Sequence, residues 1–403
     1  MIHRFDDVEI DDAALEIRRA GERVPVEPMV LQVILHLLRH AERVVPKTEL
    51  LDEVWGGRFV SESALTSRIK SARQALGDDG RAQRIIRTTS GVGYRFVAEL
   101  EVDADDVPAP APTVDLVPEI RFVAGRGGVN LAAAATGAGS PLVRTATWLT
   151  HIDKDDLANP FWGHWIRELS TEHRLIRYDA RGSGLSDRDL RGIALDDLDL
   201  WVDDLERVID TFGHDRVALL GLSQGGPVAM GYAARHPDRV THLVLFGTYA
   251  RGMRRRDPVQ AAQAALQVDL ARVAWDAGTR TFRSLFARQF VPSADTAEID
   301  WVCDQLEVTT DATNAPQLES AFHELDITDL AREITVPTLV LHADRDEAVP
   351  FEEGRRVAAL IPGARFVPLE SDSHLLPERD PAFAVFIDEV RRFLATAAPE
   401  GAG

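Results

Sequence analysis

Between residues 29 and 38 the apolar positions Val30, Ile34, Leu37 and Leu38 fall on one face of a 3.6-residue repeat, which predicts a helix. Short alternating stretches precede it and predict strands: Val8-Glu9-Ile10, Leu15-Glu16-Ile17-Arg18 and Arg23-Val24-Pro25-Val26. A second short helix is predicted over residues 46–55, ended by Gly56-Gly57. In a third, Leu65, Ile69, Ala72 and Leu76 form a narrow apolar stripe facing a core. Ser61 is placed to cap that helix, and Val60 and Leu65 to staple its first turn. Its opposite face carries Ser63, Ser67, Lys70 and Gln74, flanked by Thr66 and Arg73. A hairpin closes the segment: residues 85–89, a Ser90-Gly91-Val92-Gly93 tip, then residues 94–97.

The pattern then breaks. Residues 101–117 have no periodicity and are acidic and rich in Ala and Pro, the composition of an extended, semi-rigid linker. It predicts an N-terminal domain over 1–100 and a second domain over 118–403. From 118 onward, apolar runs alternate with helical patterns, the sign of a largely parallel sheet. The strand candidates are 143–150, 173–178, 215–221, 240–247, 336–342 and 364–368. Polar, helical segments over about 251–330 interrupt this rhythm and predict a cap inserted between strands.

Charge sharpens the division. Residues 1–100 hold 15 Lys and Arg against 16 Asp and Glu, so the rest of the chain carries nearly all of the net −20. Seven cations (Arg68, Lys70, Arg73, Arg81, Arg84, Arg87, Arg95) gather within 64–96 against two acids, Asp78 and Asp79. A basic stretch in an acidic chain predicts a local polyanion partner, confined to that face. The single cysteine, Cys303, excludes an internal disulfide framework and predicts a reducing, cytoplasmic setting. No apolar run approaches the ~20 residues that cross a bilayer, so no membrane partner is expected. No metal-ligand spacing and no phosphate-binding glycine loop stands out, so neither a metal nor a cofactor is expected.

Gly221-Leu222-Ser223-Gln224-Gly225 carries the chemistry. It follows the apolar run at 216–220 and precedes a small-residue helical pattern, the strand–turn–helix setting of a nucleophile elbow. Asp346 follows the run at 338–342, and His374 follows the run at 365–369. The chain order Ser, Asp, His is the one this motif requires. His374 would take the Ser223 proton, and Asp346 would hold the imidazole in the right tautomer. Asp344 competes for the acid role; the Val349-Pro350 that follows favours Asp346. Two backbone N–H groups must meet the developing oxyanion. Gln224 is expected to give one and Ile152 the other. Arg251, Arg254, Arg255 and Arg256 open the predicted cap, read either as an anion-attracting entrance or as a solvated helix start. Trp148, Trp162 and Trp165 suit a pocket lining or core packing, and Cys303 suits buried filler.

This set resembles the α/β-hydrolase superfamily over roughly 120–397, and more narrowly its cap-bearing, cofactor-free esterases. The loop Asp179-Ala180-Arg181-Gly182-Ser183-Gly184-Leu185-Ser186 resembles a superfamily segment whose implied role is structural. Where relatives often show His-Gly at the oxyanion loop, this chain has His151-Ile152. The resemblance implies carboxylesterase-like activity from Ser223, Asp346 and His374.

The N-terminal hundred residues resemble the winged-helix effector domain of OmpR/PhoB-type regulators, an α+β fold. The resemblance rests on Leu50-Leu51-Asp52-Glu53-Val54-Trp55, the stretch 69–76, Ile86-Arg87-Thr88 and Gly91-Val92-Gly93-Tyr94-Arg95-Phe96. It implies double-stranded DNA as partner, read by the third helix through Ser63, Thr66, Ser67, Lys70, Arg73 and Gln74. Ser90 stands where relatives often carry a minor-groove Arg, which shifts that role to Arg87 or Arg95. Pairing as a homodimer on DNA follows from the few base pairs one helix covers.

Three functions fit these readings. The first is a one-component transcriptional regulator whose hydrolase domain senses, and in one version also hydrolyses, a small ester, lactone or related metabolite. The second is an active esterase or lactonase with an accessory DNA-binding module. The third is an inactive hydrolase scaffold that binds a protein partner.

Overall fold

In the computed structural model the chain divides into two compact units, Met1–Pro112 and Thr113–Gly403. The described residues are 2–11, 16–41, 44–55, 62–89, 91–98, 117–155, 157, 159–276 and 280–396. Most of the linker expected at 101–117 lies outside them, as do Val60, Ser61 and Ser90.

The first unit opens with an antiparallel sheet of β1 (Ile2–Phe5), β2 (Val8–Asp11), β3 (Glu16–Arg19) and β4 (Glu22–Val24), in that order. Next come α1 (Pro28–Arg39), β5 (Val45–Pro46), α2 (Lys47–Trp55) and α3 (Glu62–Leu76). The hairpin β6 (Ile86–Thr89) and β7 (Gly93–Phe96) closes the unit, with β5 paired to β7. Ile34 and Leu37 of α1 are buried together with Leu65, Ile69, Ala72 and Leu76 of α3. The apolar stripes thus meet as their spacing requires. Phe5 packs edge-on against Phe96, with ring centroids 5.2 Å apart. This joins the opening sheet to the terminal hairpin. Strand β1 is absent from the sequence reading, because Ile2-His3-Arg4-Phe5 offers only two apolar residues and no run before them.

The second unit is built on an eight-stranded sheet, order β15-β14-β13-β12-β10-β11-β9-β8. It comprises β8 (Glu119–Ala124), β9 (Asn130–Thr136), β10 (Ser140–Arg144), α4 (Gly163–Ser170), β11 (His173–Tyr178), α5 (Leu198–Thr211), β12 (Val217–Leu222), α6 (Gly225–Arg235) and β13 (Val240–Phe246). The helices α7 (Pro258–Trp275), α8 (Arg280–Arg288), α9 (Thr296–Thr309), α10 (Asn314–Glu324) and α11 (Thr328–Arg332) come next, between two adjacent strands of the sheet. The unit ends with β14 (Thr338–Ala343), α12 (Phe351–Leu360), β15 (Arg365–Leu369) and α13 (Pro381–Leu394). Strands β10 to β15 pair in parallel; β8 and β9 pair antiparallel at one edge. The expected strand 143–150 is shorter and earlier, and the chain leaves the sheet after Arg144. Strands β8 and β9 escape the sequence reading. The core of β9 is Ala132-Ala133-Ala134-Ala135, which has no period-2 alternation and favours helix intrinsically. Between β8 and β11 those small side chains are fully covered, and tertiary pairing overrides the propensity.

A buried ion pair anchors the loop below the site. Arg181 donates through Nε and Nη2 to the two carboxylate oxygens of Asp204, both at 2.7 Å, with neither side chain more than 2% exposed. The pair ties the glycine-rich loop at 179–186 to α5. Asp204→Ala leaves the guanidinium buried and unpaired, a defect that costs about 3–5 kcal/mol. Urea unfolding of the full chain is expected to show the hydrolase transition displaced by that amount. An unchanged midpoint would contradict the role given to this pair.

Candidate active site and nucleic-acid interface

Strand β12 delivers Ser223 and α6 carries the chain away. Ser223 adopts φ +49°, a left-handed conformation that a non-glycine residue takes only under constraint. Its N–H donates to Phe246 O at 3.0 Å, and its carbonyl accepts from Thr248 Oγ1 at 2.7 Å. The motif glycines are needed because neighbours come close. A Cβ on Gly225 would lie 2.5 Å from Thr145 Oγ1, and one on Gly221 would lie 2.9 Å from the Gly226 Cα. Small residues therefore let α6 pack onto the strand ends while the serine stays partly exposed above them.

His374 lies on the loop after β15, held by its N–H to Phe290 O at 2.8 Å. Its Nδ1 is 2.6 Å from Asp346 Oδ2. The other oxygen of Asp346 accepts the N–H groups of Ala348 and Val349, each at 2.9 Å. Those two bonds explain the short spacing from Asp346 to Val349, since the chain folds back on its own carboxylate. The rival acid, Asp344, instead accepts Ser371 N–H at 3.1 Å and stays partly exposed. His342 packs beside Asp346 at 3.5 Å, and burial holds its imidazole below the usual histidine range. His374 Nε2 is buried and has no hydrogen-bond partner among the described residues. Ser223 and His374 line the same cleft, with Gln224, Phe161, Trp162 and Trp301. Its largely apolar walls suit a small organic ligand.

The oxyanion assignment needs a correction. Gln224 lies at the N-terminus of α6 and lines the cleft, where a backbone N–H and the helix dipole favour negative charge. Ile152 does not line it. Its N–H is buried and donates to Asp179 Oδ1 and Oδ2 at 3.1 and 3.2 Å. Burial pushes the Asp179 carboxyl up to about 7, against the pull of the Leu185 and Ile152 amides. Thr147 and Leu149 of the same loop do line the cleft.

The cap contributes residues that stand in no motif of the chain. Glu319 of α10 is buried; its Oε2 accepts Trp148 Nε1 at 3.2 Å and Gln224 Nε2 at 3.3 Å. One carboxylate therefore bridges the cap, the loop after β10 and the elbow. A second, polar recess beside Ser223 is lined by Arg256, Gln267, Gln289 and His323. Arg254 and Arg255 pair with Glu324, whereas Arg256 is buried near Glu353 at 3.7 Å. Of the tryptophans, Trp162 faces the cleft, Trp148 packs on Trp275, and Trp165 packs on Phe386. Cys303 is buried filler, 3.4 Å from Ser284 Oγ.

In the first unit α3 presents Thr66, Ser67, Lys70 and Gln74 outward. The side chain of Ser63 lies outside the described residues. Arg73 is a second correction: it is buried, donating through Nε and Nη2 to Ile86 O at 3.0 and 2.7 Å and to Thr88 Oγ1 at 2.8 Å. Its guanidinium fastens α3 to β6 and is withdrawn from phosphate contact. The helical stripe underdetermined it, because a residue at the stripe's edge turns inward when a carbonyl is in reach. Arg87 and Arg95 are exposed and face each other across the hairpin, with Arg95 Nε on Ala41 O at 3.1 Å. Lys70→Ala is expected to weaken DNA binding uniformly across sequences and to reduce the salt slope by about one. Arg73→Ala is expected to lower the melting temperature of this unit instead. Equal salt slopes for wild type and Lys70→Ala would remove this residue from the interface.

Comparison with known proteins agrees with both halves. Residues 155–381 match the family described as alpha/beta hydrolase fold, and residues 21–96 match transcriptional regulatory protein, C terminal. The chain belongs to the α/β-hydrolase family and carries, at its N-terminal end, an OmpR/PhoB-type DNA-binding domain. It is 26% identical over 251 residues to the AB hydrolase superfamily protein YisY of Bacillus subtilis, covering 61% of this chain and 89% of that one. It is 36% identical over 120 residues to the transcriptional regulator HilA of Salmonella typhi, covering 29% of this chain and 21% of HilA. The enol-lactonase from Burkholderia xenovorans superposes with a TM-score of 0.56 at 26% identity, over 68% of this chain and all of that structure. Among the described residues, no helix is long and apolar enough to cross a membrane.

Proposed function

We propose that this protein is a one-component transcriptional regulator whose hydrolase domain binds, and turns over, a small ester or lactone with an apolar acyl part. The observation that carries the catalytic half is the orphaned His374 Nε2, buried in the cleft that Ser223 lines, with Nδ1 already fixed on Asp346. A buried imidazole nitrogen without a partner is costly, and the serine hydroxyl or a ligand is what relieves it. In the reaction, His374 Nε2 takes the Ser223 proton as Oγ attacks the acyl carbon. The oxyanion gathers on the Gln224 N–H and a second amide at 147–149. The imidazolium then protonates the departing alkoxide, and water repeats the sequence to free the acid. Asp346 stays ionised and supports the imidazolium. Phe161, Trp162 and Trp301 favour an apolar acyl group. Joining a groove-reading head to such a cleft in one chain supports coupling of ligand to DNA affinity. Pairing of two chains on DNA belongs to the same proposal.

The test uses one preparation. Genomic DNA recovered with the protein is sequenced, and the same sample is labelled with a fluorophosphonate. Enriched promoter sequences together with labelling of Ser223 support the reading. Labelling without enriched DNA favours an esterase with an accessory module. Enriched DNA without labelling removes the activated serine.

A further inference from the structure

The first unit brings together three metal-ligating side chains that the sequence keeps apart. His36 and His40 stand at i and i+4 at the C-terminal end of α1 and point the same way, with ring centroids 4.8 Å apart. Glu49 comes from the first turn of α2. One donor atom from each of the three lies within 4.8 Å of the other two. His36 Nε2 and Glu49 Oε1 are already 2.9 Å apart. All three are half-buried, so they are partly dehydrated yet reachable from solvent.

We propose that His36, His40 and Glu49 form a binding site for a Zn²⁺-class divalent transition ion. The chemistry of the set points there. Two neutral imidazoles and one carboxylate are a donor set of borderline softness, suited to Zn²⁺, Co²⁺ or Ni²⁺, whereas Mg²⁺ and Ca²⁺ take oxygen ligands. Bonds of ~2.0–2.1 Å at a tetrahedral angle put two ligands on one ion about 3.3 Å apart. The His36–Glu49 pair opens by a few tenths of an ångström to reach that value, and His40 closes in by rotating its side chain. The carbonyl end of α1 adds a favourable field for a cation. Three protein ligands leave a fourth position open to water or an outside donor. Bound, the ion ties the end of α1 to the start of α2 within the unit that carries α3.

The test is a Co²⁺ titration of the full chain after dialysis against chelator. Wild type is expected to develop the visible d–d absorption of low-coordinate Co²⁺ at one equivalent, bleached by Zn²⁺. His40→Ala removes a ligand at the helix end. Glu49→Gln keeps the hydrogen bond to His36, and so the fold, while losing the anionic donor. Loss of an outer partner alone costs roughly 10–100-fold in metal affinity, so each variant is expected to weaken Co²⁺ binding by at least that much. His374→Ala, in the other unit, is expected to leave the spectrum unchanged. Absence of the band in wild type, or an equal band in His40→Ala and Glu49→Gln, overturns the site. A band lost only in His374→Ala would place the ion in the hydrolase cleft and overturn it as well.

Discussion

Ser223→Ala is expected to reduce hydrolysis of an apolar ester such as p-nitrophenyl butyrate by up to ~10⁶-fold, an effect of about 8 kcal/mol on the transition state. The loss is this large because Ser223 Oγ is the protein atom that becomes bonded to the acyl carbon. The strained backbone is set by the Phe246 and Thr248 contacts, and neither involves the serine side chain. The variant should therefore fold normally and keep an empty oxyanion site. Residual turnover near ~10³–10⁴ over water would come from that site and from binding. The substitution also separates the two halves of the proposal. A promoter-DNA mobility shift that responds to the ester in Ser223→Ala assigns sensing to binding alone. A response lost in the variant makes turnover part of the signal. Ester hydrolysis unchanged in Ser223→Ala would end the nucleophile assignment.

Asp346→Asn is expected to lower the same rate by about 10⁴-fold with the fold intact. The amide can still accept the Ala348 and Val349 N–H groups through its oxygen. The atom facing His374 Nδ1 then becomes an N–H₂, which turns the imidazole into the wrong tautomer and removes the charge that supports its protonated form. Asp344→Asn serves as the comparison. Its carboxylate meets Ser371 N–H and not the histidine, so the rate should move less than about tenfold, as for an ordinary surface change. A reversal of these two results would hand the acid role to Asp344. Fluorophosphonate labelling rates provide a second measurement, because they report Ser223 activation without product release.

The legible parts of this molecule are those in which a local pattern has one physical solution. The elbow at 221–225 could be read because its glycines answer to packing distances that any larger residue violates. The stripe at 65, 69, 72 and 76 could be read because helical period and burial coincide. Strand β9 could not be read, since four alanines carry no periodic signal and the pairing that makes them a strand comes from β8 and β11. Arg73 and Ile152 show the same limit at single residues. Each stands where the pattern suggests a functional role, and each is claimed by a partner distant in sequence: the carbonyl of Ile86 for one, the carboxylate of Asp179 for the other.

By itself the chain determined that a DNA-binding α+β module is joined to an α/β hydrolase, and that Ser223, Asp346 and His374 follow in the order of the motif. Periodicity, turn chemistry and motif order are local properties, and they survive without coordinates. Only the folded structure decided that Asp346 and not Asp344 meets the imidazole, that Glu319 spans cap and elbow, and that His36, His40 and Glu49 converge. Those facts depend on which distant segments share a few ångströms of space, and hydrogen bonds, being short-ranged, are settled there.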